Sequence, residues 1–183
     1  MPLLTSEMNM GMALKKAKIT PHLVAESFLP TTMMEIKYAN DQDVALGNEL
    51  SLQDTANPPD IFFLPADESG FYTLMLIDPD APSAQDNSSS PFRHWIVTNV
   101  PGSSSQINGT TAQQLSSYYK PAPPAGTGPH RYIFLLYKQE QGEFKDDAVQ
   151  VAESRAQFDF QQFAREHQLS LVGVNFFKAS SHN

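Results

Sequence analysis

Between residues 33 and 139 the chain is patterned in short alternations and short apolar runs. Met33–Tyr38 alternates apolar and polar positions, as a half-buried strand does. Asp60–Leu64, Phe71–Ile77, His94–Val100 and Arg131–Tyr137 are apolar runs rich in strand-forming residues, and each is bounded by turn-rich spacers. Strands separated by such spacers predict a sandwich rather than βαβ units. Helical spacing is confined to the two ends. Ser6–Lys18 places Met8, Met12 and Ala13 near helical spacing, with Ser6 as cap and Lys15, Lys16 and Lys18 in the last turn. A second short helical turn is expected at Thr20–Pro21, with the proline in the first helical position. Asp159–His167 reads as a helix capped by Asp159, with Phe160, Phe163 and Ala164 on one face, and Leu171–Ala179 reads as a last strand. The polar stretch 103–117 reads as a surface excursion with a helical turn at 111–117. The expectation is a mainly β protein, an antiparallel β-sandwich with a few peripheral short helices, in a single domain over residues 1–183.

Composition narrows the classes of function. The 183 residues are 40% hydrophobic and 17% charged, which suits a globular domain with a real core. The net charge of −8 argues against non-specific binding to nucleic acid or anionic membranes. The absence of cysteine excludes a thiolate zinc site or a cysteine nucleophile, and suits a reducing compartment. Met1–Met10 has no secretory pattern, and no apolar run reaches the roughly 18 residues of a membrane span. A cytoplasmic location is expected.

Three segments could carry chemistry. Asp78-Pro79-Asp80-Ala81-Pro82-Ser83 follows an apolar run directly, and its prolines push their predecessors towards extended geometry. A solvated turn is the ordinary reading of such a segment, but the double proline stiffens it. In Phe92-Arg93-His94-Trp95, strict alternation puts His94 with Ile96 on one face and Arg93 with Trp95 on the other. In Gly126-Thr127-Gly128-Pro129-His130-Arg131-Tyr132, a Pro/Gly-rich loop feeds a strand on which His130 and Tyr132 share a face. Two histidines and two carboxylates at strand mouths suit a pocket for an anion, to which amides near Gly126 and Gly128 could add donors. No metal-ligand spacing, Gly-x-Ser-x-Gly context or phosphate-binding glycine loop is present, so neither a metal nor a cofactor is expected.

Taken in order, Asp78–Ser83, His94-Trp95-Ile96-Val97-Thr98-Asn99, Pro123-Pro124 and Gly126–Tyr137 resemble the phosphatidylethanolamine-binding protein family. The run from Pro121 to Gln139 resembles its fungal carboxypeptidase Y inhibitor branch. The resemblance implies a pocket for phosphate-like groups at Asp78, His94, Pro124, His130 and Tyr132, with Phe92 and Ala122 at the rim. It implies a cis peptide at Ala81–Pro82. Asp80 and Arg131 are expected as a supporting ion pair, because a lone buried charge is costly. Two departures stand out. Many animal members continue past the last strand into a helix over the pocket, whereas this chain stops soon after Phe177, so a more open pocket is expected. Met1–Met10 also differs from the N-terminal segment that contributes to inhibition in the yeast-type inhibitor.

These readings leave three functions open. The first is a regulator that inhibits a serine carboxypeptidase or other peptidase. The second is a binder of phosphate or phospholipid headgroups that modulates signalling proteins such as kinases or small GTPase regulators. The third, a hydrolase, is the least supported, and a non-enzyme is expected.

Overall fold

Where apolar residues run unbroken, a strand is covered on both faces; where they alternate, one face meets solvent. Both situations occur in the computed structural model, which describes residues 2–111 and 113–181. Its elements in chain order are α1 (Pro2–Lys16), β1 (Met34–Tyr38), β2 (Gln42–Asp43), β3 (Asn48–Glu49), β4 (Asp60–Phe63), β5 (Phe71–Asp78) and β6 (Phe92–Pro101). There follow β7 (Gln106–Ile107), β8 (Gln114–Ser116), β9 (His130–Gln139), α2 (Phe160–Glu166) and β10 (Leu169–Ala179).

The strands form two sheets, ordered β2-β1-β4-β7 and β3-β10-β9-β5-β6-β8. The smaller sheet alternates: Met34, Ile36, Tyr38, Ile61 and Phe63 point inwards, while Glu35 and Asp60 face out. They meet the inner face of the larger sheet at Leu74, Leu76, Trp95, Val97, Phe134 and Phe177, which makes a sandwich core. The other face of the larger sheet, with Met75, Ile77, Ile96, Ile133, Leu135 and Phe176, is covered by Met10 and Leu14 of α1 and by Phe160 and Phe163 of α2. The strands buried on both faces are therefore the unbroken runs of the sequence. Pairing is antiparallel throughout except at one edge, where β3 runs parallel to β10.

Several local expectations are corrected. Helix α1 begins at Pro2, so Ser6 lies within it rather than capping it. A proline in the first helical position is already set to the helical φ. The helix ends at Lys16, just before Lys18 takes a left-handed φ of 55°. At Thr20–Pro21 there is a turn instead of a second helix. The fully buried Ile19 pins it and accepts the N–H of Leu23 at 2.9 Å, and the peptide is cis. The helical turn expected at 111–117 is instead the short strand β8, which pairs with Ile96 and Val97 and accepts the indole N–H of Trp95 on Gln114. Helix α2 is capped by Asp159, whose carboxylate accepts the Gln162 N–H at 2.9 Å. The tail after Phe177 is described to Ser181; His182 and Asn183, like Met1, lie outside the described residues. Among the described residues, no helix is long and apolar enough to cross a membrane.

Candidate functional site

The C-terminal end of β5, the N-terminal end of β6 and the N-terminal end of β9 lie side by side. This follows from the antiparallel order β9-β5-β6 and its register, with Asp78 opposite Phe92 and Ile77 opposite Ile133. Between them opens a cavity of about 180 Å³. Asp78, His94, His130 and Tyr132 line it, together with Phe92, Ala122 and Pro124, so all the residues expected to form the pocket face one space.

Chain irregularity aims His94 inwards. Leu76 pairs with Trp95 and Ile77 with Arg93, so His94 is the extra residue of a β-bulge. The expected alternation therefore fails: His94 does not share a face with Ile96. Its ring meets Tyr132 edge-on at 5.2 Å on the sandwich side, whereas Ile96 and Arg93 face the helix side, Arg93 over the Phe158 ring.

Each polar group has a defined position. His130 Nδ1 lies 2.8 Å from Asp78 Oδ2, and both side chains are almost fully buried. Asp78 Oδ1 accepts the Asp80 N–H at 2.7 Å. Thr127 Oγ donates to the Pro124 carbonyl at 2.7 Å and stands 2.9 Å from His130 Nε2. His94 Nδ1 lies 2.6 Å from the Tyr119 carbonyl, which only accepts, so that nitrogen carries the proton. Burial lowers the His94 pKa to about 4, outweighing the opposite pulls of the Tyr119 carbonyl and Asp78. The Tyr132 hydroxyl is buried without a hydrogen-bond partner among the described residues. Burial and the nearby Asp78 push its pKa well up, so it remains a donor.

Asp80 and Arg131 stand behind the cavity as a two-pronged ion pair. Arg131 Nη2 reaches Asp80 Oδ1 at 2.8 Å, and Nε reaches Oδ2 at 2.9 Å. Arg131 Nη1 also donates to the Ala17 carbonyl at 2.9 Å, tying β9 to the end of α1. The Ala81–Pro82 peptide is cis.

Sequence reasoning missed Tyr119, Pro123, Ser89, Ala81 and Pro82, which also line the cavity. It also missed Arg155, whose guanidinium sits 5.4 Å from the Tyr119 ring and donates to the carbonyls of Arg93, His94 and Ser117. The Arg93 guanidinium, likewise, donates only to Ser116 Oγ and the carbonyls of Ala152 and Ser154. Neither arginine has a carboxylate within 4.0 Å among the described residues, so two uncompensated cations back this end of β6 in an otherwise acidic protein. The expected amides at Gly126 and Gly128 do not line the cavity; both residues take positive φ and hold Thr127 against His130 instead. A Thr between two glycines three residues before His130 was the available signal. Among the described residues, no three His, Asp or Glu side chains converge as a metal would require.

A larger groove of about 320 Å³ crosses the outer face of the smaller sheet, but Lys37 there is already paired with Asp41. Among the described residues, it holds no buried, unpartnered polar group like the Tyr132 hydroxyl of the first cavity.

Comparison with known proteins agrees with this architecture. The chain is 35% identical to Protein TERMINAL FLOWER 1 of Arabidopsis thaliana, over 85% of this chain and 84% of that protein. It is 30% identical to the carboxypeptidase Y inhibitor of Saccharomyces cerevisiae, over 85% and 87%. Its fold superposes with a TM-score of 0.85 on carboxypeptidase Y inhibitor solved in complex with its cognate proteinase, at 28% identity over 96% of this chain and 97% of that one. The phosphatidylethanolamine-binding protein of Plasmodium vivax gives 0.82, at 28% identity over 94% and 97%. Residues 25–177 match the family described as phosphatidylethanolamine-binding protein, and the chain belongs to that family.

Proposed function

We infer that the chain is a regulator that binds phosphate-type anions, through Asp78, His94, Pro124, His130 and Tyr132, with Phe92 and Ala122 at the rim. The observation that carries this reading is the Tyr132 hydroxyl, buried in the cavity wall without a partner among the described residues. A buried donor left unmade is expensive, and a ligand oxygen would satisfy it. The cation of Arg155, which acts on His94, supplies a favourable field behind the site. A cavity of about 180 Å³ suits a headgroup or a small anion better than a whole lipid. Inorganic phosphate and phosphoethanolamine should perturb the ring signals of His94 and His130 in an NMR titration. Unmoved imidazoles at saturating phosphate would overturn the reading.

A second reading, compatible with the first, is inhibition of a serine carboxypeptidase. It is supported by the likeness to an inhibitor that was solved bound to its cognate proteinase. Titration against a serine carboxypeptidase tests it, and full activity at micromolar protein would sink it. We read the chain as a single-domain binding protein rather than an enzyme, and its lack of cysteine is compatible with the cytoplasm.

A further inference from the structure

We propose that the pocket takes its oxyanion with a proton attached, as the monoprotonated phosphate or phosphonate, and discriminates against the fully ionised dianion. The proposal rests on the anion-pocket reading and deepens it, because the donors and acceptors that face the cavity are not those of a cationic site.

His130 is the group expected to greet an anion, yet both its nitrogens are in use. Nδ1 lies against Asp78 and Nε2 against the Thr127 hydroxyl. His94 is the ring with a nitrogen to spare. Its Nδ1 proton is committed to the Tyr119 carbonyl, so in the neutral ring Nε2 presents a lone pair. No described residue donates to that lone pair, and the ring lines the cavity. Tyr132 presents the complementary group, a hydroxyl with no acceptor among the described residues.

The charges around His94 fit the same requirement. Asp78 faces it from β5 and, of the charged side chains, acts on it most strongly; His130 and Tyr132 face it from β9. Tyr119 flanks it on the segment after β8, with Arg155 beyond that ring. Arg155 directs its donors to backbone carbonyls, and Arg131 is held by Asp80. No guanidinium or ammonium therefore donates a hydrogen bond directly into the cavity among the described residues. An occupant must donate one hydrogen bond to His94 Nε2 and accept one from Tyr132. A P–OH and a P–O⁻ on one phosphorus do both. A dianion would set an oxygen lone pair against the Nε2 lone pair and add a second negative charge near Asp78.

The test compares methylphosphonate with difluoromethylphosphonate, similar in shape but with different second acidities, and with methyl sulfate, a monoanion that has no proton to give. Binding to the full chain is followed between pH 5 and 9, and the ¹⁵N signal of His94 Nε2 is read in each complex. A phosphate monoester loses its second proton near pH 6. Above the second pKa of each phosphonate, affinity should fall about tenfold per pH unit. The break should come at lower pH for the difluoro compound, with Nε2 remaining an unprotonated acceptor in the complex. Methyl sulfate should bind at least about tenfold more weakly, the loss of roughly one hydrogen bond. A common break for both phosphonates, a doubly protonated His94 in the complex, or equal binding of methyl sulfate would each overturn the proposal while leaving an anion pocket in place. Absence of binding by every probe would overturn both readings together.

Discussion

The strands β5, β6 and β9 bury polar side chains at both ends, and the two ends are satisfied to very different degrees. At the end away from the cavity, Gln139 meets every demand made on it. Its Oε1 accepts from the Thr73 hydroxyl at 2.8 Å and the Asn99 N–H at 2.9 Å, and its Nε2 donates to Asn99 Oδ1 and the Gly142 carbonyl, both at 2.9 Å. Asn99 closes the circuit by donating to the Phe144 carbonyl and accepting its N–H. At the cavity end, Tyr132 and His94 keep one group each without a partner among the described residues. Burial alone therefore does not mark a site in this protein. Both clusters are buried, and only the one left incomplete is available to a ligand.

The comparison predicts opposite signatures for mutations at the two ends. The largest effect is expected for Gln139→Leu, which strands the Thr73 hydroxyl, the Asn99 N–H and the Gly142 carbonyl and takes one of two donors from Asn99 Oδ1. It should destabilise the fold by about 4 kcal/mol in urea unfolding, with phosphate affinity of the folded protein unchanged. Acidification comes next. The His94 pKa is depressed from 6.5 to about 4 by burial, so below pH 6.5 the unfolded chain binds a proton that the fold refuses. Stability should be full above pH 6.5 and should fall by about 3 kcal/mol as pH drops to about 4, and His94→Gln should flatten that slope. Asp80→Asn, which removes the charge that Arg131 grips, should cost about 2 kcal/mol, less than for a fully buried pair because Arg131 is partly exposed. The smallest stability change is expected for Tyr132→Phe, within about 1 kcal/mol of neutral because no protein bond is lost, yet phosphate affinity should drop about tenfold. If Tyr132→Phe destabilised as strongly as Gln139→Leu, the contrast between the two ends would collapse.

The parts of the fold written in local pattern were legible in the sequence. The runs around Leu74, Ile96 and Phe134 are apolar because both faces of the larger sheet are covered, and Asp159 announces α2 because a carboxylate there meets orphan N–H groups. The two-residue strands β2, β3 and β7 are too short to show a period, and β3 and β7 pair with partners far away in the chain. The residues that form the pocket were named from the long motifs around Asp78, His94 and His130. Tyr119 and Arg155 were not, because their loops are placed by tertiary hydrogen bonds, such as the Tyr119 N–H to the His94 carbonyl at 2.8 Å. The orientation of His94 was misjudged because alternation presumes an unbroken ladder, and composition does not reveal where a ladder slips.

That slip makes the pocket depend on chain length as well as on residue type. His94 points at Tyr132 because β6 carries one residue more than β5 between the pairs Ile77–Arg93 and Leu76–Trp95. Deleting one residue at this point would let the two strands zip in regular register, a change the sheet itself would tolerate. Every side chain would remain available, yet the segment before Trp95 would turn over and carry its imidazole to the helix side. A shorter β6 would therefore give a sandwich whose cavity lacks the His94 ring, so an insertion or deletion there would alter the cavity more than most substitutions.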